Sequence, residues 1–192
     1  MKRIFVTASA IAALTLLAPG CSEKEAPAKP IASNPASSFD TVAAQGKGFT
    51  VGSVVSNQTV YVMFDPQCPH CAHLWEAAKP LHKRVRFVWI PVAIINANST
   101  HQGAALLMSA NGGELMNAHE KSLLAGAGGL PSPASIPAEI EQSIKANTQL
   151  FNSMKIESVP FVMAKNGRTG QVVTHNGSMA TKALAELIGL PD

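Results

Sequence analysis

The chain has 192 residues, 46% of them apolar and 14% charged, with a formal net charge of +3. That much apolar surface offsets the entropy of ordering a chain, which excludes disorder throughout and fits one folded domain. Setting aside Lys2 and Arg3, which belong to the leader, 13 basic side chains face 12 acidic ones, too even a balance for a nucleic-acid binder.

Met1, Lys2 and Arg3 make a positive start, and residues 4–18 form an apolar run interrupted only by Thr7, Ser9 and Thr15. This is the pattern of a secretory signal peptide, and it is shorter than the roughly 20 apolar residues of a membrane span. The run closes on Leu17-Ala18-Pro19-Gly20-Cys21. A cysteine behind small residues at the end of a signal core resembles the lipobox of bacterial lipoproteins. Residues 1–20 are therefore predicted to be a signal peptide, with Cys21 acylated and residues 21–38 a lipid-anchored flexible tether rich in Ala, Pro, Ser and Lys. Ordinary cleavage after Ala28 is the competing reading and would remove Cys21. Either way Cys68 and Cys71 are the two thiols left in the predicted folded domain, residues 39–192.

The first strand is predicted over Thr59–Phe64, broken by Asp65-Pro66-Gln67 just before Cys68-Pro69-His70-Cys71. Cys71, Leu74, Trp75, Ala78 and Leu81 then recur at spacings of three and four, one face of a helix with proline at its first position and Pro80 at its end. Residues 85–92 read as a second strand, with Pro91 near its end. From about 96 to 154 the pattern is helical, interrupted by Gly112-Gly113, by 126–129 and by the proline-rich 131–137. Its best segment is 138–154. Short strands at 161–164 and 171–174 flank Asn166-Gly167, a hairpin signal. Ser178 is a candidate cap for a last helix carrying Leu184, Leu187 and Ile188 inward.

Two cysteines three apart at a helix start place the first sulfur where unpaired amides and the positive end of the helix dipole stabilise a thiolate. Pro69 and His70 sit between them, and His70 adds a hydrogen bond or a charge that lowers the Cys68 pKa. Stabilising the thiolate favours the dithiol and makes the disulfide a stronger oxidant. Cys71, one turn inside the helix toward Trp75, is expected to be the less accessible, resolving thiol. Other readings remain open: a zinc site completed by His73, His82 or His101, a structural disulfide, or a catalytic cysteine paired with a distant histidine. Haem attachment would need histidine where Ala72 stands.

The remaining candidates have plainer readings. Trp75, Trp89, Met63 and Met163 are expected in the core and His73 and His82 in solvent. His101, His119 and His175 have no identifiable partner. The stretch 126–137 connects helices, or grips substrates near the motif.

The run Phe64-Asp65-Pro66-Gln67-Cys68-Pro69-His70-Cys71, with Trp75 and Pro80 downstream and Val159-Pro160 before a strand, resembles the thioredoxin-fold domain of the periplasmic disulfide-interchange proteins of the DsbC and DsbG family. The resemblance runs from about Thr59 to the C-terminus. It implies an α/β, thioredoxin-like fold with a helical insertion at about 96–154, between the second strand and the strand that follows a cis-proline. It also implies that Cys68 attacks, that Cys71 resolves, and that a cis Val159-Pro160 bond faces them on the substrate side; cis bonds are essentially confined to X-Pro.

The cofactor it implies is none beyond the redox-active Cys68-Cys71 disulfide. The implied partners are substrate proteins with thiols or disulfides and a membrane redox partner of the DsbB or DsbD type, in the periplasm. Pro69-His70 and Val159 match the oxidase DsbA, so an oxidising role is expected, with disulfide isomerase or protein-thiol reductase as alternatives. A metal-binding lipoprotein using Cys68, Cys71 and histidines is the non-enzyme alternative. The family's N-terminal dimerisation domain does not fit into the 38 residues from Cys21 to Thr59, so a monomer that meets the membrane only through its lipid is expected. The strand Thr59–Phe64 holds no carboxylate, so the buried acid that assists the resolving thiol in thioredoxin-type reductases has no counterpart in it.

Overall fold

The apolar run at residues 60–64 becomes strand β2 (Thr59–Phe64), whose last three residues are all buried. In this computed structural model, which describes residues 35–191, it is the middle of a five-stranded sheet. β2 runs parallel to β3 (Arg86–Pro91), with Thr59 opposite Arg86 and Phe64 opposite Pro91. On its other side it runs antiparallel to β4 (Phe161–Lys165). The edges are β1 (Phe49–Gly52) against β3 and β5 (Val172–Asn176) against β4, both antiparallel, giving the order β1-β3-β2-β4-β5. Parallel neighbours need a crossover, and α2 (Pro69–Ala78) supplies it between β2 and β3.

The period-two alternation of the strands sorts the core into two layers. Val60, Val62, Phe64, Phe87, Trp89, Val162 and Ala164 face one way and pack with residues of α2, α4 (Gly112–Leu124) and α6 (Thr181–Leu187). Met63, Ile90, Phe161 and Met163 face the other way and pack with α1 (Pro35–Gln45) and α5 (Ala138–Ser153). Phe64 stands edge-on to Phe49 and Trp89 at centroid distances of 6.2 and 5.5 Å, contacts worth about 0.5–1.5 kcal/mol each beyond the area they bury. Between β3 and β4 come α3 (Ala97–Met108), α4 and α5. Asn96 caps α3 with a complete capping box and Asn111 caps α4. Among the described residues no helix is long and apolar enough to cross a membrane.

Several expectations change. Two elements, α1 and β1, precede the first predicted strand. α1 starts at Pro35, inside the predicted tether, because Phe39 and Val42 are enough to pin a short helix against the sheet but too few to show a period. β1 is four residues long, and only Phe49 and Val51 point inward. Ser178 does not cap the last helix: Ala180 holds that position without a side-chain bond, and Thr181 Oγ1 instead donates to Ala77 O at 2.8 Å, tying α6 to α2.

Asn166-Gly167 does not form a two-residue hairpin. Residues 166–171 make a longer loop, in which Asn166 Oδ1 accepts from the backbone N–H groups of Arg168 and Thr169 and Gly170 takes φ +70. Pro80 does end its helix, which tightens into a single 3-10 turn at Lys79–Leu81. The leader, Cys21 and the tether before Pro35 lie outside the described residues.

Candidate active site

β2 ends at Phe64, and the turn that follows is fixed by a buried carboxylate. Asp65 Oδ1 accepts from the backbone N–H of Gln67 at 2.8 Å and from Ser99 Oγ at 2.7 Å. Its Oδ2 accepts from the backbone N–H groups of Ile94 and Ile95 at 2.7 and 3.0 Å. One fully buried side chain thus locks the entry to α2, the exit from β3 and the start of α3 to one another.

Cys68 then occupies the N-cap of α2 in extended conformation, with Pro69 at the first helical position. Its own side chain makes no cap bond, so the sulfur stays beside the unpaired amides of the first turn. Cys68 is 5% exposed and Cys71 has no exposure; Pro69 and His70 are exposed. Both cysteines are free thiols. Opposite them the Val159-Pro160 bond is cis, and the Val159 carbonyl accepts from Cys68 Sγ at 3.6 Å.

The two sulfurs titrate apart. A hydrogen bond from the Cys71 side chain, helped by the backbone N–H groups of Cys71 and His70 and by the charge of His70, lowers the Cys68 pKa to about 6 against the opposing effect of burial. Burial, then the hydrogen bond and charge of Cys68, push Cys71 well above the ordinary thiol range. The outer sulfur is a nucleophile at neutral pH and the inner one holds its proton. Alkylation of Cys68 by iodoacetamide in the reduced protein should accordingly rise with pH through an inflection at about 6, with thiolate absorbance at 240 nm following the same midpoint. An inflection near the ordinary thiol value of about 8.5 would contradict the arrangement.

Around this pair α3, α4 and the loop after α4 form a polar brace. His119 of α4, fully buried, has Nε2 at 2.7 Å from Pro66 O, while its Nδ1 accepts from Leu130 N–H at 3.1 Å. The ring is therefore the neutral tautomer with its proton on Nε2, and burial lowers its pKa. Gln67 Nε2 donates to Gln102 Oε1 and to Gly128 O, and Gln102 Nε2 donates to the carbonyls of Gly128 and Leu130. The glycine-rich stretch is thus held against the residues that precede Cys68. Gly129 has φ +87, and a Cβ there would lie 2.4 Å from the His119 ring. Gly129→Ala should destabilise the fold by about 1–2 kcal/mol from backbone conformation alone, more with the clash, measurable as a lowered midpoint in denaturant.

Trp75 and Trp89 are core aromatics, 5.1 Å apart edge to face, and the Trp75 indole N–H donates to Asn117 at 2.9 Å. Met63 and Met163 are buried. His73 is exposed, but His82 departs from the solvated reading: it packs against Trp75 and Phe87 with ring centroids 5.5 Å from each, because the 3-10 turn points its ring inward. His101 is exposed on α3 and bonds to Ala97 O. Among the described residues no three His, Cys, Asp or Glu side chains gather as a metal set. Sequence reasoning missed Glu120, which is fully buried on α4. The signal was Met116, His119, Glu120 and Leu123 at helical spacing, two ionisable residues on an inward line.

Comparison with known proteins follows the same lines. No protein-family model matches the chain. Over 140 residues it is 31% identical to the thiol:disulfide interchange protein DsbG of Pseudomonas aeruginosa, covering 72% of this chain and 54% of that protein. With the DsbG of Escherichia coli the identity is 28% over 118 residues, 59% of this chain and 47% of that one. The chain spans about half the length of the curated relatives it matches.

Its fold is thioredoxin-like. The catalytic domain of ScsC from Proteus mirabilis superposes with a TM-score of 0.62 at 12% identity, covering 80% of this chain and 93% of that one. The thiol-disulfide exchange protein alpha-DsbA2 of Wolbachia pipientis superposes at 0.61 with 14% identity, covering 80% and 94%. By sequence the chain is a relative of the DsbG thiol:disulfide interchange proteins.

Proposed function

We propose that this protein is a thiol:disulfide oxidoreductase that exchanges disulfides with substrate proteins through Cys68 and Cys71, and that it runs mainly as an oxidant. The observation that carries the reading is the asymmetry of the pair: Cys68 at the helix N-cap with its pKa lowered to about 6, over a fully buried Cys71 whose pKa is raised. In the oxidising direction a substrate thiolate attacks Cys68 Sγ of the disulfide, the Cys68–Cys71 bond breaks, and Cys71 leaves with the electron pair and is protonated. A second substrate thiolate then attacks the substrate sulfur of the mixed disulfide and releases Cys68 as a thiolate. The substrate loses two electrons and the cysteine pair gains them. A low leaving-group pKa at Cys68 speeds that release.

The Val159 carbonyl beside Cys68 Sγ offers an acceptor to an extended substrate backbone. Ile94 and Ile95, 42% and 47% exposed, have their backbone N–H groups held by Asp65, three residues before Cys68.

The same pair run backwards is a reductase, and run in both directions an isomerase. Direction is tested by mixing the oxidised protein with a reduced multi-cysteine substrate and, in parallel, with its scrambled form. The proposal requires faster disulfide formation than rescue, and the reverse order would overturn the direction. The signal-like leader and its Cys21 support a periplasmic, lipid-tethered protein recharged by a membrane redox partner. Mass spectrometry of the mature N-terminus tests the tether: an acylated Cys21 is expected, and an unmodified terminus beyond Cys21 would contradict it.

A further inference from the structure

Residues 126–130 take no part in the exchange chemistry, yet four polar side chains hold them against the turn before Cys68. Gln67 Nε2, one residue before that sulfur, donates to Gly128 O at 2.9 Å. Gln102 Nε2 donates to Gly128 O and Leu130 O at 2.8 and 2.6 Å, and Ser122 Oγ donates to Gly129 O at 2.8 Å. His119 makes the fourth tie, accepting on Nδ1 from Leu130 N–H at 3.1 Å and donating from Nε2 to Pro66 O at 2.7 Å. The outer side of the loop is open: Gly126 and Gly128 are exposed, and a Cβ at either would meet nothing within 4 Å. A chain with glycines at 126, 128 and 129 loses much entropy on ordering, so it stays in place only while it is held.

Three of these ties are indifferent to pH, and the fourth is not. Gln67, Gln102 and Ser122 are neutral donors with nothing to titrate. A ring that accepts on Nδ1 and donates from Nε2 is neutral imidazole. A proton added to Nδ1 sets an N–H against the Leu130 N–H and leaves a buried cation whose new donor has no acceptor. Burying a charge in that way costs far more than a neutral hydrogen bond contributes. Gly129 covers the same edge of the ring, since a Cβ on it would lie 2.4 Å from Cε1 and 2.9 Å from Nδ1. Outward movement of 128–130 therefore removes the opposing donor and opens Nδ1 to water.

The surrounding groups do not rescue the cation. Burial lowers the pKa of the latched ring, and Asp65 in the motif turn opposes that only as a smaller effect. Glu120, the next residue on α4, keeps its proton because burial raises its pKa to about 9, and Glu114 and Lys121 on that helix are exposed. On α2 and its N-cap, Cys71 holds its proton, Cys68 takes one below about 6, and His70, His73 and Glu76 are exposed. His101 on α3 is exposed, and neither β1 nor residues 125–137 carry a titratable side chain. A released ring returns to the ordinary histidine value of about 6.5, so the latch is complete above that value and is lost as pH falls below it.

We propose that residues 126–130 are a strap on the flank of the motif, latched by neutral His119 and released in acid when Nδ1 takes a proton, and that its release admits protein substrates to Cys68 more freely. The second part rests on the disulfide-exchange reading. Asp65 ties the motif turn to the segments after β3 and at the start of α3 without any bond to the strap, so the strap leaves while Cys68 keeps its place. What it uncovers is the Gln67 side chain and the flank of the turn, beside which a protein chain bonded through sulfur to Cys68 has to lie. Glutathione, a tripeptide, needs less of that flank.

NMR of the full reduced protein, with pH lowered through the ordinary histidine value of about 6.5, tests the strap. The Leu130 amide and the Gln102 side-chain amide should shift with the His119 ring at one midpoint. Exchange protection of Leu130 N–H, corrected for the intrinsic rate, should fall about tenfold per pH unit, the linkage of one proton. His119→Gln, whose amide has a donor and an acceptor but takes no proton, should hold the strap through the same range. The Ile94 and Ile95 amides, bonded to Asp65, should stay protected. A ring that titrates without moving either amide, a His119→Gln protein that loosens at the same pH, or Ile94 and Ile95 losing protection together with Leu130 overturns the strap. If the variant does not fold, separate midpoints for the ring and the two amides in the wild-type protein overturn it.

Admission of substrates is read from the oxidised protein as the ratio of its rates with a reduced unfolded protein and with glutathione, in which the Cys68 titration cancels. That ratio should rise by up to about tenfold per pH unit as the released fraction grows, and should stay flat in His119→Gln. A flat ratio in the wild-type protein overturns the gating. If neither thiol is oxidised at any pH, the disulfide-exchange reading fails and takes the gating with it, while the amide titration still decides the strap.

Discussion

Replacing Cys68 by serine should abolish disulfide exchange, lowering turnover by at least ~10³-fold, because a hydroxyl neither attacks a disulfide at neutral pH nor leaves from one. Cys71→Ser should behave differently. Its Cys68 still stands at the α2 N-cap beside the first-turn amides, and the serine hydroxyl can donate where the Cys71 thiol did, so attack proceeds, but the intramolecular thiol that ends the encounter is gone. An intramolecular group enjoys a very high effective concentration, and without it the mixed disulfide should persist about 10²-fold longer or more. Trapping substrates from a periplasmic extract and resolving them by non-reducing electrophoresis separates the two variants. Equal trapping by both, or undiminished turnover of Cys68→Ser, would reverse or remove the assigned roles.

The largest effect on stability is expected at Asp65. Its side chain answers three backbone N–H groups and one hydroxyl from three segments, and it is fully buried. Asp65→Ala leaves those donors unsatisfied, at roughly 1–3 kcal/mol for each that water cannot reach. A total loss of roughly 3–5 kcal/mol places the variant among the exceptional single substitutions. Asp65→Asn keeps one acceptor oxygen and should lose less. Chemical denaturation of the reduced proteins measures both. The Cys68 titration should move as well, because the Asp65 turn sets where the α2 amides point. A variant as stable as wild type would show that the three segments hold their positions without this carboxylate.

What could be read from the sequence was what is contiguous along it. The run from Thr59 through Cys71 contains strand, turn, helix start and both sulfurs, and every signal in it is local: a β-rich stretch, a proline at the first helical position, an apolar face at helical spacing. The Val159-Pro160 peptide lies ninety residues away and came only through a family resemblance, since nothing in the local pattern says which strand it will face. The brace was hidden for the same reason. Gln67, Gln102 and His119 bond to backbone carbonyls at Pro66, Gly128 and Leu130, and a carbonyl acceptor leaves no mark in a side-chain sequence.

Glu120 was concealed differently. The strand before the motif holds no carboxylate, and the buried Glu120 stands on α4 beside Lys121, where it reads as part of a solvated face. His82 shows the converse error: a histidine beside Lys83 and Arg84 looks solvated until the 3-10 turn at Lys79–Leu81 rotates its ring onto Trp75 and Phe87.

The central claim is that a stabilised Cys68 thiolate makes the Cys68–Cys71 disulfide an oxidant of protein thiols, and the reduction potential of that couple tests it most directly. Equilibrating the protein against glutathione buffers and quantifying the dithiol fraction gives the value. The lowered Cys68 pKa favours the reduced form, so the account predicts about −120 to −180 mV, between a strong oxidase and a disulfide isomerase. A potential below about −230 mV, in the range between glutaredoxin and thioredoxin, would contradict it and make the protein a reductase.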